Sequence, residues 1–137
     1  MKNNKILIAG LIGTVVAFFV GFLTYGMALN DFFESNRGSA TGLQRADDEM
    51  IWWAMILGHL AFGMLLAIIY GRWANISTIA TGAKAGAVLG ALLGLIGFID
   101  YAAMNVSNLT ATCVNVIVMA IVSAITGAAV AWWLGRD

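Results

Sequence analysis

The fold is decided by the stretch Gly82–Gly97, GAKAGAVLGALLGLIG, in which glycine recurs at regular intervals. Gly82, Gly86, Gly90 and Gly94 are four residues apart and fall on one slowly drifting face of a helix, and Gly97 follows three residues later. Because such a face has no side chains, a second helix can approach its backbone closely within a membrane. The pattern predicts a helix-packing ridge, whose partner is either another helix of this chain or a second subunit.

The ridge lies in the third of four apolar runs. The chain has 137 residues, of which 61% are apolar and 10% are charged, and it contains no proline. A helix needs roughly 20 apolar residues to cross a hydrocarbon core about 30 Å thick. The runs that meet this length cover about 6–29, 50–70, 79–104 and 109–134. They lack the alternation of barrel strands, so residues 1–137 are predicted to form one integral membrane domain, an all-α four-helix transmembrane bundle.

The first run has an alternative interpretation as a secretory signal peptide, because basic residues precede it and "YGMAL" resembles a cleavage site. The apolar core of a signal peptide spans about 7–15 residues, and this run is longer. We therefore expect it to be a retained membrane span.

Basic residues are distributed unequally between the two predicted sides of the membrane. The side of the termini and the second loop carries five of them, and the other side carries two: Lys2, Lys5, Arg72, Lys84 and Arg136 against Arg37 and Arg45. By the positive-inside rule, both termini are predicted to be cytoplasmic. Residues 30–49 would then form an acidic outer loop, either a simple solvated loop or a cation-collecting mouth. Its end, "RADDEM", predicts the start of the second span with acidic residues near the positive end of that helix.

Polar residues in the four runs define a candidate vestibule. Tyr25, His59, Asp100 and Asn115 come one from each run, and each is predicted to point into the bundle. In a structural interpretation, they exchange hydrogen bonds between helices, and Asp100 lies hydrated near the outer surface. In a functional interpretation, they line a water-filled vestibule in which His59 changes charge near neutral pH and Asp100 attracts a cation or proton.

Several functional classes lack their signatures in this sequence. Cys113 is the single cysteine, and neither an HExxH motif nor a phosphate-binding Gly–Lys loop occurs. Formal net charge is zero, and no cluster of basic residues suits nucleic acid. We therefore expect neither a metal nor a cofactor nor a nucleic-acid partner, and a non-enzymatic protein is favoured.

Two segments, "GFLTYGMALNDFF" and "GALLGLIGFIDYAAMN", lie on either side of a polar outer loop and an aromatic-led second span. This arrangement is similar to that of a known group of proteins. The chain resembles an uncharacterised family of small bacterial inner-membrane proteins, although the family-like proline after the first-span tyrosine is absent. The resemblance covers most of the chain and implies a four-helix protein of the bacterial inner membrane. It assigns no activity to any residue.

Two functions follow from these patterns as hypotheses. The first is a non-enzymatic membrane protein that acts as a helix-packing or accessory component, as a homo-oligomer or with another membrane protein, in contact with the lipid bilayer. The second is a small solute or ion transporter or channel that uses the outer vestibule.

Overall fold

The computed structural model describes residues 2–137, and Met1 lies outside the described residues. The described chain forms five α-helices and no strand. The helices are α1 (Asn3–Gly21), α2 (Asn30–Ser35), α3 (Trp52–Ile68), α4 (Ile79–Ala103) and α5 (Leu109–Leu134). Four of them are long and apolar, so the predicted all-α four-helix bundle is confirmed.

Two of the long helices continue into π-helical turns. A first π segment (Phe22–Ala28) extends α1, and a second π segment (Ile69–Ala74) extends α3. With these extensions, four helices are long and apolar enough to cross a membrane: Asn3–Ala28, Trp52–Ala74, Ile79–Ala103 and Leu109–Leu134. The chain is accordingly an integral membrane protein.

The predicted outer loop, residues 30–49, contains more structure than the sequence patterns indicated. Its first part is α2, and Asp47–Glu49 forms a single 3₁₀ turn in which the Glu49 amide donates to the Ala46 carbonyl. Met50 is extended, and α3 begins only at Trp52, with no acidic residue in its first turn. The interpretation of "RADDEM" as the start of the second span is therefore wrong, because the backbone leaves the helical conformation at Met50.

The helices are arranged so that α1 packs on both α3 and α5, while α4 packs along α5. The residues near both termini meet at one end of the molecule, where the Lys5 ammonium donates to the Arg136 carbonyl and Arg72 donates to the Asn3 side chain at 2.7 Å. We call this the terminal end, and it includes the α3–α4 connection. The opposite end, formed by residues 29–51 and 104–108, is the loop end.

The packing of α4 against α5 depends on glycine. Gly82, Gly86, Gly90 and Gly94 are buried, and a Cβ atom added to each would collide with α5. At Gly94, the added Cβ would lie 2.8 Å from the Cα of Val116. At the three others, it would meet Ala131, Ser123 and Met119 at still closer range. Both helices therefore approach at backbone distance, which side chains would prevent.

The apolar core lies at the terminal end. Tyr70 of the second π segment is fully buried among side chains from α1, α3 and α5, including Ile6, Leu66, Val130 and Leu134. Its hydroxyl donates to the carbonyl of Gly82 at 2.7 Å. This bond joins the end of one span to the start of the next. The π segment then ends at Asn75, whose left-handed backbone (φ 50°) suits a helix terminus.

The loop end is held together by a clasp between residues 36–40 and residues 105–108. The Asn108 amide donates to the Asn36 carbonyl at 3.0 Å, and the Asn108 side chain donates to the Asn36 side-chain oxygen at 3.0 Å. The Ala40 amide donates to the Asn105 carbonyl at 2.9 Å. Between them, Gly38 lies so close to the backbone of Asn105 that a Cβ would collide with it. The long loop is therefore fixed onto the α4–α5 turn.

Candidate functional site

A cleft with both polar and apolar walls opens at the loop end between α4, α5, α2 and the first π segment. Its volume is about 220 Å³. The walls combine five polar groups with apolar side chains, and they include Tyr25, Phe33, Gly97, Asp100, Val106, Ser107, Ala111, Thr112 and Asn115. Three of the four residues predicted for the vestibule, namely Tyr25, Asp100 and Asn115, line this one cleft.

The back of the cleft is a hydrogen bond between two spans. Tyr25 projects from the first π segment, and its hydroxyl donates to Asn115 Oδ1 on α5 at 2.6 Å. On the other side, the Tyr25 ring packs against Phe33 of α2, with the ring centroids 5.5 Å apart. The phenol is consequently held in place by an amide and by an aromatic ring, and the side-chain NH₂ of Asn115 stays available to a ligand.

The upper wall consists of hydroxyl groups at the start of α5. The Thr112 hydroxyl donates to the Asn108 carbonyl at 2.9 Å, so the Ser107 hydroxyl, 3.0 Å away, donates to Thr112. Asn108 begins the helix, because its side-chain oxygen accepts from the Ala111 amide at 2.8 Å. The cap and the clasp thus fix the orientation of both hydroxyls.

Asp100 supplies the charge of the cleft. It lies in the last turn of α4 and is exposed, and within residues 2–137 the one ion pair is formed elsewhere, between Arg37 and Glu34. A cation beside this carboxylate would also lie near the negative end of the α4 dipole, and both interactions favour positive charge. The site therefore favours a small positively charged or hydrogen-bond-donating ligand.

His59 lies apart from the cleft. Its Nδ1 is 2.8 Å from the Met55 carbonyl, and its ring packs edge-on against Phe18 of α1 at a centroid distance of 5.3 Å. Its Nε2 side faces Gly21. The structure does not bring His59 together with Asp100, because α3 packs on α1 and makes no extended contact with α4.

Gly97 also differs from the other glycines of the predicted ridge. Nothing lies within 4 Å of a Cβ added there, and the residue lines the cleft. Gly97 lies on the same side of the helix axis as Gly86 and Gly90. However, α4 and α5 separate toward the loop end and leave the cleft between them. Gly97 was predicted to be part of the packing ridge, but it belongs to the cleft wall, while the four preceding glycines pack on α5.

Three further residues of the cleft were not predicted as part of the vestibule: Phe33, Ser107 and Thr112. Phe33 was placed in the outer loop, and the six residues of α2 are too few to show a helical period. Ser107 lies in the short turn before α5, where a serine is ordinary. The one usable signal was Thr112, which shares a face of α5 with Asn115.

The chemistry that the cleft offers is that of oxygen atoms: a carboxylate, an amide and hydroxyl groups. No group of three or more His, Cys, Asp or Glu side chains that could hold a metal ion occurs in the described part of the chain. Ser107 and Thr112 have no histidine beside them that could serve as a base, because His59, the single histidine, lies against Phe18 of α1. The arrangement suits binding of a small solute or cation.

Comparison with protein-family models, curated proteins and solved structures finds no match for this chain.

Proposed function

We propose that this chain is a non-enzymatic accessory component of a membrane assembly in the bacterial inner membrane, with both termini in the cytoplasm. The observation that carries the proposal is the position of α4. Within residues 2–137, α4 packs along α5 and makes no more than isolated contacts with α1 and α3. One helix of the bundle therefore has a single extended neighbour, which leaves a flank for another protein.

The free flank of α4 is apolar and continuous. It carries exposed side chains over several turns, namely Val88, Leu92, Leu95, Ile96 and Ile99. The glycine face of the same helix is already occupied by α5. An oligomer or complex would hence use this flank and not the glycines. Helices in lipid associate through close packing, for which a regular aliphatic surface is suitable.

The proposal is tested by photo-crosslinking in native membranes. A photoreactive residue is introduced at Leu92 on the flank or, as the matched control, at Val15, which is similarly exposed on α1. We expect a protein adduct of discrete mass from position 92 and only lipid adducts from position 15. An adduct of twice the chain mass would identify a homo-oligomer, and another mass would identify a different membrane protein. Lipid adducts alone at both positions would refute the accessory role.

A second function is favoured by the cleft. We propose, as the alternative, that the protein is a small transporter in which Asp100, Asn115 and Tyr25 bind a cation or polar solute. In this conformation, the cleft is open toward the loop end, while the buried side chains of Leu66, Tyr70 and Val130 fill the terminal end. Transport would then require a second form in which the terminal end opens.

Flux measurements in reconstituted vesicles test the alternative. We expect Asp100→Asn to abolish most cation-dependent flux, because it removes the one charge of the cleft. Asp48→Asn removes a carboxylate of the same end outside the cleft and serves as the control. His59→Ala, which alters a ring packed on α1, should leave the flux unchanged. Flux no greater than that of empty vesicles across a broad panel of ions and solutes would exclude the transporter.

A further inference from the structure

A second cavity lies at the terminal end, on the opposite side of the molecule from the cleft at the loop end. It has a volume of about 430 Å³ and lies between the first turns of α1 and the last turn of α5. Lys2, Lys5 and Arg136 contribute three positive charges to its walls, and Asp137 contributes one negative charge. The cavity therefore carries excess positive charge at one membrane boundary of the bundle.

The cationic groups are held in place by neighbouring groups. The Lys5 ammonium donates to the Arg136 carbonyl, which fixes the start of α1 to the end of α5. The Arg136 guanidinium stacks over the rings of Trp132 and Trp133, at 4.7 and 5.5 Å from their centroids. An ammonium has three donors, so Lys5 keeps two for a ligand. Stacking leaves the edge of the guanidinium free to bind an anion.

Two further features favour an anion that belongs to a lipid. Ile8 forms an apolar wall next to the charged groups, so the cavity is amphipathic. Trp133 also forms part of the wall. Tryptophan prefers the headgroup level of a bilayer, which suits a lipid headgroup beside it.

We infer that this cavity binds the phosphate group of an anionic phospholipid, with Lys5 and Arg136 as its ligands and with the first acyl carbons against Ile8. Basic pockets between membrane helices are suited to such headgroups because the negative surface potential of the membrane and the fixed cations act together. Lys2 adds charge at the rim, and Asp137 weakens the site. The binding site is independent of the accessory and transport proposals.

The experiment is native mass spectrometry of the purified chain with phosphatidylglycerol or phosphatidylcholine added in detergent. We expect adducts with phosphatidylglycerol to be retained. The double variant Lys5→Gln/Arg136→Gln should weaken this binding by about twenty-five-fold, because each basic residue near an anionic lipid contributes a factor of about five. The matched control, Arg37→Gln/Arg45→Gln, changes net charge equally at the loop end and should bind as the unmodified chain does.

Asp137→Asn should have the opposite effect, because removal of the carboxylate should strengthen lipid binding. If the double variant fails to fold, as judged by thermal unfolding, Lys2→Gln gives the same direction with a smaller effect. Equal binding of the two lipids, or equal losses in both double variants, would overturn the inference. Displacement of the lipid by inorganic phosphate at millimolar concentration would also overturn it, because the site would then recognise soluble phosphate.

Discussion

Two tyrosines occupy equivalent local settings at opposite ends of this molecule. Tyr70 and Tyr25 each lie in a π segment, each precedes a glycine, and each donates a hydrogen bond to another span. Tyr70 is fully buried and closes the terminal end, whereas Tyr25 is partly exposed and forms the back of a cleft. The difference shows that the same contact can seal one end of a bundle and leave a binding site at the other. The packing around each tyrosine ring decides whether that end is closed or open.

The largest effect that tests this comparison is truncation of the two rings. Tyr70→Ala should cost about 3–5 kcal/mol of unfolding free energy, because it leaves a cavity in a filled core. Tyr25→Ala should cost only about 1 kcal/mol, since its ring already borders open space. Reversible unfolding in mixed detergent and lipid micelles measures both. Equal losses would mean that the two ends are packed alike.

A smaller effect is expected from one methyl group at each end. Gly82→Ala places a Cβ against Ala131 and Gly127 and should destabilise the fold by about 1–3 kcal/mol. Gly97→Ala places the methyl group in the open cleft and should leave stability unchanged or raise it by up to about 1 kcal/mol, because alanine favours the helix. Thermal unfolding followed by circular dichroism compares them. A strong loss at position 97 would show that α4 and α5 stay in contact at the loop end.

The smallest effect comes from the helix caps. Here the variant at the loop end should lose more stability than the variant at the terminal end, which is the reverse of the two preceding comparisons. Thr78→Ala removes an exposed cap at the start of α4, with a bond of 3.2 Å, and should cost about 0.5 kcal/mol. Asn108→Ala removes the cap of α5 together with the side-chain bond to Asn36, and about 1–2 kcal/mol is expected.

Limited trypsin digestion distinguishes these cap variants. Asn108→Ala should accelerate cleavage after Arg37 and Arg45, because the loop that contains them loses part of its attachment. Thr78→Ala should leave that rate unchanged. Similar cleavage rates in both variants would show that the clasp does not hold the loop.

Prediction from sequence succeeded where lipid sets the requirement. A spanning helix must be long and apolar, so the runs around the four helices were visible directly. The glycine spacing is also visible in the sequence, but spacing holds no information about the partner, and the structure places Gly86 and Gly90 against α5.

The cleft could be predicted only in part. Tyr25 and Asn115 are ninety residues apart, and polar side chains within apolar runs indicated both of them. His59 was grouped with them because depth can be estimated from sequence, whereas the neighbour that a helix face meets cannot. The π segments were not predicted at all, since a single wide turn shifts the helical phase without altering composition.

The clasp at the loop end has a consequence for how the protein is made. Asn36 and Asn108 are separated by 72 positions, so their paired bonds cannot form until the chain has been synthesised through α4 to Asn108. The loop between α1 and α3 must therefore wait without this attachment. A nascent chain that stops before Asn108 would leave Arg37 and Arg45 in an unattached loop, exposed to quality-control proteases.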